Sequence, residues 1–125
     1  MSIIIVQQRV NQLISMIDKM QTKVSSPSIT NMTITTTNPV INFNNITCMS
    51  FSLTMTSNIT NITFQNSVVN GMYKIYLQSS GFVMNKILGI NIRNNLSGNT
   101  FMVGYWIIDV FYNGNIYFCN FQNFT

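Results

Sequence analysis

The chain has 125 residues, of which six are Lys or Arg and two are Asp, while Glu and His are absent. Charged residues make up 6% of it, against about 25% in an ordinary globular protein. Without His, neither a Ser–His nor a Cys–His nucleophile can form, and two widely separated Asp residues offer no acid–base pair within one chain. We therefore expect a non-enzymatic protein that has no metal site and no cofactor.

The net charge of +4 reflects scarce acids, because the six cations are scattered along the chain and form no basic run. This distribution gives nucleic-acid binding little support. No apolar run approaches the roughly 18 residues of a transmembrane helix, and the stretch over residues 3–6 is too short for a signal-peptide core. We expect synthesis in a cytoplasm, no membrane insertion, and reduced Cys48 and Cys119, with a disulfide left open for an oxidising medium.

The strongest pattern lies near the N-terminus, where apolar residues recur in alternating steps of three and four. This heptad spacing predicts a parallel coiled coil that ends at Ser25-Ser26-Pro27, because Pro27 disfavours helix in the residue before it. A single amphipathic helix packed on its own domain is the alternative. The seam residues of the predicted coil are Ile3, Val6, Val10, Leu13, Ile17, Met20 and Val24.

The number of chains in the coil is less constrained by these residues. β-branched residues at the a positions with Leu13 at d favour a dimer, whereas Val6 at d favours a trimer. We predict a homotrimer, with a dimer as the main alternative, because the last hairpin of the chain needs apolar neighbours on both of its faces.

Beyond Pro27 the pattern changes to one of β-strands. Residues 49–56 alternate strictly, which predicts a half-buried strand with Met49, Phe51, Leu53 and Met55 inward. Short Asn-Ile-Thr repeats at 58–60 and 61–63 are too irregular to predict a solenoid. We expect seven or eight antiparallel strands in a β-sandwich or jelly-roll-like head over residues 27–125, carried on a coiled-coil stalk over residues 1–26.

Two Asn-Gly pairs, at 70–71 and 113–114, each predict a hairpin with a type I′ turn, because both residues tolerate positive φ. The first hairpin would pair Val69 with Met72 and leave Lys74 and Tyr76 on a wet face. The second would pair Tyr112 with Asn115.

The second hairpin is apolar on both faces, unlike a sheet with one face in water. A single head can cover the face that carries Ile108 and Val110. We expect neighbouring subunits to cover the opposite face through Ile107, Phe111 and Phe118.

Asp109 lies on that second face and is the only acid of the head. A buried carboxylate needs hydrogen bonds or a cation, here Lys74, Lys86 or Arg93. We expect Asp109 to be structural or interfacial, the alternative being a position at a wet sheet edge.

The segment 93–100 is polar and predicts an exposed loop. Amides both donate and accept hydrogen bonds, as sugar hydroxyls require, and an exposed tyrosine can stack on a sugar ring. The alternative is that these residues only keep a charge-poor surface wet. The candidate ligand-binding residues are Arg93, Asn94, Asn95, Asn99, Lys74 and Tyr76.

The 3–24 heptad, the Ser25-Ser26-Pro27 break and the aromatic tail from Tyr105 to Phe118 together resemble trimeric viral fibre and spike proteins. The Asn- and Ile-rich composition resembles small proteins of virophages, giant viruses and phages. The resemblance implies a virion fibre head that attaches to a host-surface glycan. A capsid-decorating or assembly protein that contacts capsid protein without a receptor is the alternative, and a non-virion oligomeric adaptor is a third.

Overall fold

The computed structural model describes residues 7–15 and 29–124. Residues 7–15 are helical and all nine are exposed, including Val10 and Leu13 of the predicted seam. No helix in these described ranges is long and apolar enough to cross a membrane. The Ser25-Ser26-Pro27 break lies outside the described residues. So do the other five seam residues, which are Ile3, Val6, Ile17, Met20 and Val24. The coiled coil and its stoichiometry stay predictions.

Residues 29–124 form a mainly β structure with eight strands, as the sequence predicts. Six strands make one sheet in the order β1-β3-β5-β7-β8-β6, and β2 with β4 makes a second. The strands are β1 (Ile29–Ile34), β2 (Val40–Asn42), β3 (Cys48–Met55), β4 (Thr63–Gln65), β5 (Met72–Met84), β6 (Ile92–Asn94), β7 (Thr100–Tyr112) and β8 (Tyr117–Asn123).

From β1 to β5 the chain coils like a solenoid, alternating between the two sheets. β3 lies parallel to both β1 and β5, and β2 lies parallel to β4. Ile29 lies opposite Ser50 and Ser50 opposite Lys74, so successive turns take 21 and 24 residues. The irregular Asn-Ile-Thr repeats did not predict this solenoid-like coiling. What repeats from turn to turn is the inward alternation, which stacks Met32, Leu53 and Leu77, and not a string of identical residues.

The second half of the chain closes the main sheet. β7 pairs antiparallel with β5, β8 pairs antiparallel with β7, and the short β6 pairs parallel with β8. Four of the six strand pairings are parallel. The expected antiparallel sandwich or jelly roll is not confirmed.

The core lies between the inward face of the main sheet and a layer made of β2, β4 and the loops. Alternation decides which side chains enter it: Phe51, Leu53 and Met55 are buried on β3, as the sequence predicts. The layer opposite contributes Phe43 and Leu88, both with no exposed surface. Burying apolar side chains on one face of every long strand leaves the other face to water or to a partner.

The hairpin predicted at Asn70-Gly71 is wrong. The amide of Gly71 donates to the Val68 carbonyl (2.8 Å), and Asn70 has a φ of 66°, which sits at the third position of that turn, where a type II turn requires it. The turn is a corner that leads from the small sheet into β5. β4 pairs with β2 instead of folding back on β5.

The second predicted hairpin is confirmed, with its register shifted by two residues. Tyr112 pairs with Tyr117 instead of Asn115, so the connecting loop has four residues. A shift of two preserves the side-chain parity of a strand, and the predicted faces therefore hold. Val110 and Ile108 are buried, whereas Phe111 and Phe118 are outward.

Tyr73 joins the corner before β5 to the core. Its ring is 2% exposed and stacks on Phe43 with 3.6 Å between ring centroids. Its hydroxyl donates to the Ile46 carbonyl (2.8 Å) and accepts from the Val68 amide (3.0 Å). A Cβ at Gly71 would overlap this hydroxyl, so glycine is required where the chain passes over the ring.

Tyr73→Phe is expected to lower the free energy of unfolding by about 1–3 kcal/mol, because it leaves two backbone groups without their partner. Tyr76→Phe is the matched control, since its hydroxyl is on the exposed side of the same strand and its loss should change stability by less than about 0.5 kcal/mol. Urea denaturation of both variants measures the difference. Equal stabilities would contradict the role assigned to the Tyr73 hydroxyl.

Candidate functional site

The outward face of the main sheet carries an open groove of about 820 Å³ that crosses β3, β5, β7, β8 and β6. Strand register sets its lining residues in rows across the sheet. One row runs through Met72, Phe111, Phe118 and Arg93. The next runs through Ser50, Lys74, Asp109 and Asn120. Residues far apart in sequence therefore meet on one surface because their strands are neighbours.

Five of the six candidate ligand-binding residues line this groove: Lys74, Tyr76, Arg93, Asn94 and Asn95. Asn99 does not line it. Two of the three head residues predicted to contact neighbouring subunits, Phe111 and Phe118, line the same groove, and Ile107 lies on the same outward face of β7. The expected ligand-binding and subunit-contact residues thus share one surface.

An ion pair occupies the middle of the groove. Lys74 Nζ lies 3.7 Å from Asp109 Oδ1, and the two side chains are 46% and 49% exposed. Asp109 therefore has the cationic partner that the sequence analysis requires, but it is half in water and not buried. An exposed pair of this kind contributes little to stability, so its charges remain available to a ligand.

Aromatic surface flanks the ion pair on two sides. The rings of Phe111 and Phe118 lie with centroids 6.5 Å apart, and both side chains are exposed. Tyr76 lies one row beyond the ion pair and is 39% exposed. Flat apolar rings beside charged and hydroxyl groups can receive both the apolar face and the hydroxyls of a sugar.

Arg93 stands at the β6 side of the groove with much of its donor capacity unused. Its Nη1 donates to the carbonyls of Ile90 (2.9 Å) and Ile92 (3.3 Å), which fixes the side chain against its own turn. The remaining guanidinium nitrogens have no partner among the described residues. A guanidinium held in this way presents a forked set of donors to an oxygen-rich ligand.

The three candidate asparagines serve the backbone. Asn94 exchanges hydrogen bonds with Lys86 Nζ and the Lys86 carbonyl, and Asn99 Oδ1 accepts from the Lys86 amide. Asn95 donates to the Phe121 carbonyl (3.0 Å) and accepts from the Phe121 amide (2.7 Å), as a paired strand residue would. Their side-chain amides therefore bond to neighbouring segments of the chain.

Cys48 and Cys119 are both free thiols, one exposed and one buried. They lie on β3 and β8, three strands apart, or roughly 14 Å at the usual strand spacing. That separation exceeds the reach of a disulfide. Cys48 and Cys119 of one chain therefore do not form the disulfide that the sequence left open. Burial raises the pKa of the Cys119 thiol from 9.0 to about 12.

A second exposed apolar surface lies further along the same sheet face and was missed by the sequence analysis. We call it the outer band; it consists of Phe101, Val103, Tyr105 and Phe124. The signal was present in β7, where the odd positions from Phe101 to Phe111 are apolar except Asp109. Only the part of this alternation next to the final turn entered the prediction.

No protein-family model, curated protein or solved structure that we compared with the chain matches it.

The raised pKa of Cys119 predicts a pH dependence of stability. Because the folded pKa lies above the unfolded value, the unfolded chain loses its thiol proton first, and stability falls as pH rises from about 9 towards 12. The contribution of this group reaches about 1.4 kcal/mol per pH unit. Urea denaturation at several pH values should show a steeper loss in the wild type than in Cys119→Ala. Parallel pH profiles would contradict this assignment.

Asp109→Asn is expected to lower the free energy of unfolding by less than about 1 kcal/mol, because it breaks an exposed ion pair. This effect is smaller than a buried interfacial carboxylate would give. Chemical denaturation at low and at 0.5 M salt measures it, with Lys74→Met as the matched variant that removes the other partner. A loss of several kcal/mol would mean that the pair is buried in the protein as it exists in solution.

Proposed function

We propose that this chain is a non-enzymatic homotrimeric attachment protein of a virion, whose β head binds a host-surface glycan in the sheet groove. One observation supports this most: candidate residues from β5, β6 and the following loop converge on a single groove that combines cations, an acid and exposed aromatic rings. A sugar needs this combination of stacking surface and hydrogen-bonding groups.

The contacts described above suggest a separate role in sugar binding for each groove residue. Arg93 and Lys74 supply donors, Asp109 supplies an acceptor, and Tyr76 with Phe118 supplies ring faces. The neighbouring amides of Asn94 and Asn95 act as supports that position β6 and its loop. In a trimer three copies of a weak site would act together, which raises the overall avidity without any new contact.

A second candidate function is a capsid-decorating or assembly protein that binds no receptor. The outer band favours it, because a contiguous exposed apolar surface is typical of protein contacts. Under this alternative the groove would be covered by capsid protein, and isolated head surfaces would bind no sugar.

The test is binding of the full-length chain to an immobilised panel of neutral, carboxylated and sulfated oligosaccharides. Arg93→Ala and Tyr76→Ala should each weaken binding about tenfold or more, since each removes a ligand contact. Ile87→Ser is the matched control, because Ile87 is 79% exposed and does not line the groove.

Binding that survives both groove substitutions would reject the groove as the site. If the wild type binds neither the panel nor intact cells, the attachment function is wrong and the decorating function is favoured. Recovery of the chain in purified particles would then be the next measurement.

A further inference from the structure

The outer band lies where β5 and β7 run on beyond their neighbours. β3 ends opposite Ser79 and β8 ends opposite Trp106, so the last part of the β5–β7 pair is a ribbon, which an isolated parallel bridge joins to Ile59 at Met84. A bulge at Gly81, with a φ of 131°, bends this ribbon. Its inner side is buried through Met84 and Met102, and its outer side carries Phe101 and Val103.

Two contacts tie residues of the band to the rest of the sheet. The ring of Phe101 lies over Gly81, where an added Cβ would come within 2.9 Å of it. The amide of Phe124 donates to the Tyr105 carbonyl (2.8 Å), which keeps the end of the chain beside Tyr105. A surface that is already ordered loses little conformational entropy when a partner covers it.

The outer band is too small to hold two subunits together by itself. Phe101, Tyr105 and Phe124 are 64%, 61% and 50% exposed. At about 200 Å² per aromatic side chain, roughly 350 Å² of aromatic surface remains in water. A stable interface takes about 800 Å² from each partner, so the band alone would give only weak association.

The helix of the same chain offers a second contact and indicates that the partner is another copy of this chain. Val10, Leu13 and Ile14 are each at least half exposed, and heptad spacing favours association with a second copy of the same helix. In sequence, residues 16–28 separate the described helical residues from β1, and 13 residues can span at most about 45 Å. Heads tethered so closely have an effective concentration near the millimolar range, at which a small apolar contact is occupied.

The outer band and the groove differ in charge, and this difference suits them to different partners. The four residues of the band carry no charge, which is typical of the centre of an interface between subunits. The groove holds the Lys74–Asp109 pair, and covering it with an apolar subunit would desolvate both charges.

We propose that the outer band of Phe101, Val103, Tyr105 and Phe124 is the head's contact with a second copy of this chain, and that this contact leaves the groove open. The inference rests on the proposed self-association of the chain. It moves the subunit contact of the head away from Phe111 and Phe118.

The first test compares the dissociation constants of full-length variants by analytical ultracentrifugation. The double variant Phe101→Ser/Tyr105→Ser should weaken self-association about tenfold or more, because two aromatic side chains no longer leave water. Phe118→Ser is the matched control: it removes an exposed phenylalanine from the same sheet face and should leave self-association unchanged. Circular dichroism and thermal melting establish that each variant is folded.

The second test locates the contact directly, by hydroxyl-radical footprinting of the wild type and of the variant Val10→Asp/Leu13→Asp, which disrupts the helix seam. Phe101 and Tyr105 should be labelled less in the wild type than in this variant, while Phe118 is labelled equally in both. Equal labelling of all three residues, protection of Phe118, or a wild type that stays monomeric would overturn the inference.

The outcome is separable from that of the proposed function. The double band variant should keep its affinity for an oligosaccharide per chain, measured with a soluble monovalent sugar, whereas the groove variants should lose it. Loss of sugar binding in the groove variants with an unaltered dissociation constant of the band variant would support attachment and reject the band. A weaker self-association of the band variant, together with no sugar binding by the wild type, would support the band contact and reject the attachment function.

Discussion

Strand β5 is the element on which both surfaces of the head depend. It pairs in parallel with β3 on one side and antiparallel with β7 on the other, so it joins the solenoid-like turns to the final hairpin. Its alternation sends Tyr73, Ile75 and Leu77 into the core and Lys74 and Tyr76 into the groove. A one-residue slip would exchange these faces and bury an ammonium group, which makes the register of β5 strongly determined.

Local alternation was predictable from the sequence, and long-range pairing was not. The inward residues of β3 and the two faces of the β7–β8 hairpin followed from a period of two, and a register error of two residues did not disturb them. Parallel pairing of β3 with β1 and β5 joins residues more than twenty positions apart, which alternation within a strand cannot reveal. The Asn70-Gly71 pair led to the wrong prediction of a hairpin. A type I′ turn needs positive φ at both residues, whereas this corner has positive φ at Asn70 alone.

Five of the six predicted ligand-binding residues line the groove, but the sequence did not reveal which of them also bond to the backbone of neighbouring segments. Lys74 and Tyr76 are outward on β5, as period-two reasoning predicts, whereas Arg93, predicted to lie in an exposed loop, lies on β6 and also lines the groove. The side chain of Asn95 pairs with the backbone of Phe121, a contact that only the neighbouring β8 creates. In a chain with so few charges, amides also satisfy backbone groups that loops leave unpaired, so an abundance of asparagine does not by itself indicate a ligand site.

The ion pair of Lys74 and Asp109 distinguishes the groove from the outer band, whose four residues carry no charge. Covering Lys74 and Asp109 with an apolar surface removes water from two charges whose 3.7 Å contact gives only a weak attraction in return. A ligand rich in hydroxyls replaces that water with hydrogen bonds, and its ring faces can rest on the phenylalanines alongside. The outer band has no charge to desolvate, so a protein surface can cover it without this cost. Asp109, the one acid of the head, thus divides the outward sheet face, because it lies on β7 between Phe111 and the outer band.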